Sequence, residues 1–202
     1  MPPSVVLLGP VVLATVLPGP SMLLALDHGL RFGARKASAT ALGNLAATAL
    51  QTTLVLAGLQ AVALASSRLL TLVRLGGAGY LVWLGLGLLR SSRRGETGSA
   101  RSEVAASGTG RFRQAVLVTL GNPSALLFFA AFFPPFLERG LGRAWLLVHL
   151  VLPILAITFL SMMLYARFGA GLVRLLAGPR WARASRLVLG AAFLAMGAWM
   201  LR

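Results

Sequence analysis

The sequence predicts an all-α integral membrane protein with six transmembrane helices. It predicts them as two inverted three-helix repeats, with spans one and four broken at proline. Three observations carry this. Hydrophobic residues fill 57% of the 202 positions and charged ones only 11%, against roughly 25% charged in an average soluble domain. One core of this size cannot hide so much apolar surface. The apolar residues also form long uncharged runs near the ~20 residues that cross a bilayer, and a proline motif in the first run recurs three runs later.

Ser4–Leu26 is a run of 23 uncharged residues and forms span one. No positive charge precedes it, so it lacks the n-region of a signal peptide. Asp27–Lys36 reads as a short polar loop, Ala37–Ser67 as span two and Leu69–Leu89 as span three. Arg90–Arg113 is polar, rich in Gly and Ser, and forms the one long linker. Gln114–Leu137 is span four and Ala144–Ala166 span five. Arg167–Arg186 alternates Arg with Leu and Val, as an interfacial amphipathic segment does. Leu187–Leu201 has 15 residues, which Trp181 and the stems of Arg183 and Arg186 extend by snorkelling. Five spans is the rival count, if this last one fails to cross. The chain is a single membrane domain over 1–202, with a first half at 3–89, a linker at 90–113 and a second half at 114–202.

Basic residues number 19 and acidic ones four, a net charge of +15. The arginines sit between apolar runs without interleaved aromatics, which speaks for topology and against nucleic acid. Loops one, three and five hold 14 of the basic residues and the opposite side five. Positive charge collects in the cytoplasm, so both termini are expected outside and the 90–113 linker inside. Cysteine is absent, which excludes disulfides, thiolate metal sites and thiol electron transfer. Acidic residues are too few and scattered for paired-carboxylate catalysis, and no phosphate-binding glycine loop occurs. The reading is therefore neither an enzyme nor an ATP-driven pump, with no cofactor or metal.

Pro20-Ser21-Met22-Leu23-Leu24 and Pro123-Ser124-Ala125-Leu126-Leu127 agree at four of five positions at an offset of 103 residues. An odd number of spans per half inverts the second copy, the plan of transporters whose sites form at interrupted helices. Pro18 and Pro20 lack amide donors, so the carbonyls of Ala14 and Val16 lose their partners, and Pro123 frees that of Thr119. Gly19 loosens the first break and Asn122 flanks the second. Each proline can open a new half-helix, whose first amides, Ser21 to Leu23 and Ser124 to Leu126, attract an anion such as an amino-acid carboxylate. The alternative is a proline kink satisfied by neighbouring helices.

Span two carries Thr40, Asn44, Thr48, Gln51 and Thr52 on one helical face, which must turn to the bundle interior. It lines a substrate path or serves as interhelical glue worth ~0.6–2 kcal/mol per contact; Asn44 and Gln51 hold the most unmet hydrogen-bonding capacity. Asp27 is a proton-coupling candidate or a solvated loop residue. His149, inside span five, is a proton shuttle or a structural histidine. Gly76, Gly77, Gly79, Gly85 and Gly87 read as close helix packing, and the four tryptophans as interfacial anchors.

Together these motifs resemble a known family. Leu17-Pro18-Gly19-Pro20, Gly33, Gly43, the Gly77–Gly85 run with its Tyr80 and Trp83, Phe112, Gly121–Phe129 and Pro134-Pro135-Phe136 occur in the order seen in the LysE/RhtB family of bacterial amino-acid exporters. The resemblance covers essentially the whole chain. It implies a six-helix inner-membrane exporter driven by the proton or membrane-potential gradient, with signature breaks at 18–20 and 122–123. The chain departs from the family where Ser124 replaces a frequent Lys after Asn-Pro, at Ala115, and at Pro135 in place of Gln.

The function expected is secondary-active export of amino acids across the inner membrane. The substrate-binding candidates are Pro18, Gly19, Pro20, Ser21, Asn44, Gln51, Asn122, Pro123 and Ser124. A cationic side chain needs a carboxylate partner, and the spans offer only the marginal Asp27 and Glu138. Small neutral or hydroxylated amino acids are therefore expected over dibasic ones. The expected partners are the amino acid and the lipid bilayer, with a homo-oligomer left open. The rival function is a non-transporting membrane anchor or assembly partner.

Overall fold

The computed structural model describes residues 12, 19–58, 67–94, 107–133, 136, 142–175 and 179–201, and among these it is helical throughout, without a strand. Helix α1 spans Pro20–Phe32 and α2 Ala34–Leu56. Then come α3 (Ser67–Arg94), α4 (Gly108–Leu120) and α5 (Pro123–Phe132). Short α6 (Arg143–Leu146) runs through a π turn, Leu147–Val151, into α7 (Leu152–Leu175), and α8 is Pro179–Met200. Three helical stretches among the described residues are long and apolar enough to cross a membrane: Ala34–Leu56, Thr71–Ser92 and Ala144–Val173. The π turn has a local cause. Pro153 offers no amide to the carbonyl of His149, and the amide of Leu152 reaches back to Leu147 instead.

The burial pattern is that of a membrane protein. On α2, Thr40, Asn44, Thr48, Gln51 and Thr52 are buried while Leu42, Leu50 and Leu54 are exposed. Leucines are outermost on α3 and α7 too, at Leu72, Leu160 and Leu164. Water would expel such a surface, whereas lipid tails are as apolar as leucine.

Asp27–Lys36 is not a loop. Helix α1 runs on to Phe32, α2 starts at Ala34, and Gly33 alone turns the chain, with φ +79° and ψ 159°. Only glycine holds that conformation readily. Asp27 is then buried on α1 and paired with Arg31 at 3.5 Å, so its reading as a solvated loop residue is corrected. Arg167–Arg186 is likewise no separate interfacial helix: α7 extends to Leu175 and α8 begins at Pro179, giving the last helix 22 residues. The narrower linker reflects the same effect, since α3 reaches Arg94 and α4 starts at Gly108.

Helices pair as α3 with α8, α1 with α7, α2 with α4 and α2 with α7. The α3–α8 pair is antiparallel: a Cβ on Gly85 would lie 2.7 Å from the carbonyl oxygen of Gly190, Gly197 faces Ala78, and Arg186 donates to the Ser91 carbonyl at 3.3 Å. The α2–α4 pair is parallel, since Arg111 donates to the Lys36 carbonyl near one end and Gln51 reaches Thr119 near the other. Of the span-three glycines, Gly77 abuts the Gly121 carbonyl and Gly85 abuts α8, whereas Gly76 and Gly79 face open space. One apolar cluster joins Leu24, Leu81, Leu84, Val118 and Phe193. A second, beyond the polar stripe of α2, joins Val55, Phe129, Phe133, Leu150 and Ile154.

Candidate functional site

The site grows from the two proline junctions. Pro20 opens α1 behind an extended Gly19, φ −94° and ψ 178°, and no side chain caps that end. Helix α4 stops at Leu120, and α5 starts at Pro123 after Gly121 and Asn122. Pro123 has no amide for the Thr119 carbonyl, which accepts instead from the Asn122 amide at 3.2 Å and from Gln51 Nε2 at 3.2 Å. The Thr119 hydroxyl lies 3.1 Å from Ser21 Oγ and accepts from Asn44 Nδ2 at 2.7 Å. One threonine thus ties the start of α1, the polar face of α2 and the end of α4 together.

The structure brings Gly19, Pro20, Ser21, Asn44, Gln51 and Asn122 to this point; Pro123 starts α5 and Ser124 follows it, while Pro18 lies outside the described residues. The Leu23 amide, expected unpaired, bonds the Gly19 carbonyl at 3.0 Å. The open amides at this end are therefore those of Ser21 and Met22. Asn44 and Gln51 each spend an amide N–H on Thr119, and their oxygens, Asn44 Oδ1 and Gln51 Oε1, are buried without a partner. In a membrane interior an unpaired carbonyl costs several kcal/mol, so each of these oxygens could accept from a bound donor. Helix amides that donate, paired with amide oxygens that accept, suit a zwitterion.

Asp27 stands apart from this group, since its described partner is Arg31 at the far end of α1. His149 is exposed, stacked 4.7 Å from Trp145 with Nδ1 3.1 Å from the Trp145 carbonyl, and takes no part.

Of three residues here, sequence reasoning marks only the freed carbonyl of Thr119 and misses the other two. Thr119 is the hub. His28 is fully buried, with Nδ1 2.6 Å from Thr40 Oγ1 and Nε2 3.1 Å from Gln114 Oε1. Gln114 is the third, its Nε2 buried without a partner. The signal for His28 was available. It lies seven residues after Ser21, two turns along one helical face, once the helix is extended past Asp27.

The chain is similar to known membrane proteins. The LysE type translocator family model matches residues 12–202. An uncharacterized membrane protein of Pseudomonas aeruginosa is 31% identical over 188 residues, 90% of this chain and 83% of its own. One from Vibrio cholerae is 27% identical over 92% of this chain and 90% of its own. A protein of Enterobacter named leucine efflux protein is 28% identical over 75% of this chain and 72% of its own. No solved structure matches the chain.

Proposed function

Because the chain belongs to the LysE type translocator family, a family of membrane transporters and not of enzymes, we propose that it exports small neutral amino acids across the bacterial inner membrane by a secondary-active cycle. The observation that carries this is the pair of unpartnered, buried acceptors Asn44 Oδ1 and Gln51 Oε1 beside the uncapped start of α1. An ammonium group fits the first and a carboxylate the second. Ser21, Asn44, Gln51 and Thr119, which meet there, are all uncharged. A lysine or arginine side chain would enter without a counter-ion, whereas an aliphatic or hydroxylated one needs none. The leucine efflux relative agrees with that preference.

The cycle we propose uses six spans in two inverted halves. Span one ends in α1 and is broken at Pro18–Pro20, and α4 with α5 form span four, broken at Asn122-Pro123. The helix pairing supports this: exchanging the halves turns α1–α7 into α4–α2 and maps α3–α8 onto itself. Rocking one half against the other would expose the junctions to each side in turn. From the charge count we infer that both termini lie outside and that the linker between α3 and α4 lies in the cytoplasm.

The test is efflux from cells preloaded with a leucine-containing or lysine-containing dipeptide. Expression of this chain is expected to lower intracellular leucine several-fold and to leave lysine unchanged. Unchanged leucine, threonine and homoserine in cells that carry the inserted protein would favour the anchor reading.

A further inference from the structure

Among the described residues, Asp27, His28 and Arg111 are titratable, buried and not used by the binding site. His28 is fully buried at the meeting of three helices: α1 carries it, α2 presents Thr40 to Nδ1, and α4 presents Gln114 to Nε2. Its ring also lies 5.7 Å from that of Phe32, over which the Arg111 guanidinium sits at 5.1 Å. Resting on the export reading above, we propose that His28 binds the proton that is exchanged for substrate.

The partners of His28 suit both of its protonation states. A neutral imidazole donates from one nitrogen and accepts at the other, and the charged form donates from both. Gln114 Oε1 accepts from Nε2 in either case. Thr40 is a hydroxyl, able to donate to a bare Nδ1 and, after rotation, to accept from a protonated one. The proton therefore enters on the Nδ1 lone pair and leaves from it, without unpairing either nitrogen.

Position supports the same role. His28 is seven residues from Ser21, about 10 Å along α1, on the face that meets α2 and α4. Both of its partner helices also hold Thr119's ligands or Thr119 itself, so a proton there and a substrate at the junctions bias one set of helix contacts. The ionisable surroundings are mostly basic. On α1 these are Asp27 and Arg31; on α2, Arg35 and Lys36 are exposed; α4 gives Arg111. On α7, Tyr165 is half-buried and Arg167 exposed, and Arg186 on α8 donates to Ser91. Asp27, the carboxylate that the sequence suggests for coupling, is the one acidic side chain among the described residues, and Arg31 engages it.

The test compares two modes of transport in proteoliposomes, with labelled leucine, threonine and homoserine as probes. Counterflow exchanges substrate for substrate and needs no proton, whereas accumulation driven by a pH gradient does. In His28→Gln, gradient-driven accumulation is expected to fall tenfold or more while counterflow stays within about threefold. Retained accumulation overturns the proposal, as does uncoupling by Asp27→Asn alone. If both modes fall together in His28→Gln, a direct measurement decides. The chain has two histidines, so ¹⁵N-histidine-labelled His149→Asn protein reports His28 alone. Its imidazole is expected to occur in both protonation states, with the balance shifted by leucine. A signal fixed in one state throughout, with and without leucine, overturns the proposal. Wild-type protein that exchanges none of the probes defeats the export reading and this proposal with it. Wild-type gradient coupling that survives in His28→Gln defeats this proposal alone.

Discussion

Thr119 holds the centre of the site with two oxygens, and its substitution separates structure from function. In Thr119→Val, Asn44 Nδ2 loses its acceptor in a buried place, at about 1–3 kcal/mol, while Thr119→Ser restores the hydroxyl. Thermal melting of the purified protein is expected to drop for Val and to recover for Ser. Asn44→Leu and Gln51→Leu each remove, besides the donor to Thr119, a buried acceptor without a partner among the described residues. A hydrogen bond to a charged group contributes about 1.5–3 kcal/mol, so substrate affinity is expected to fall tenfold or more with little change in insertion. Equal affinity in both variants, measured by binding of labelled leucine, would remove these oxygens from the site. The face carrying Asn44 and Gln51 was legible in the sequence, because spacing alone puts them with Thr40 and Thr48. The role of Thr119 was not. Its partners lie 98, 75 and 68 residues away, and a threonine next to a helix break looks the same in sequence whether it bonds its own helix or another.

At the scale of the elements, breaks and turns decide where side chains meet. Gly33 alone joins α1 to α2, so Ser21 and Asn44, twelve residues before it and eleven after, reach the same depth. Gly33→Ala forces a side chain into a region that is nearly glycine-only, at about 1–3 kcal/mol, and its melting temperature is expected to fall. The sequence leaves this turn hidden because a charged stretch reads as a loop. Here Arg31 pairs with Asp27 one turn away, and the helix carries both charges. Glycines in α3 allow a paired comparison. Gly77 touches the Gly121 carbonyl, so Gly77→Ala wedges α3 from the α4–α5 junction, an overpacking cost of about 1–3 kcal/mol. Gly76 faces open space, and Gly76→Ala is expected to be neutral or slightly stabilising. Equal melting of the two variants would contradict the packing described.

For the molecule as a whole, the composition made the membrane class plain, and leucines outside with amides inside bear it out. Orientation rests on the distribution of arginine. In this cysteine-free chain, Ser99→Cys is expected to be shielded from impermeant thiol reagents in intact cells and Ser4→Cys to react; labelling of Ser99→Cys from outside would reverse the topology. What composition and spacing left open is how the halves meet, because helix pairing is set by side chains far apart in the chain. Whether those contacts enclose a binding site for neutral amino acids is tested most directly by counterflow. Proteoliposomes carrying the wild-type protein and loaded with unlabelled leucine are expected to take up labelled leucine, with threonine and homoserine competing and lysine and arginine not. No exchange of any amino acid by correctly inserted protein, or displacement by lysine in preference to threonine, would contradict the account.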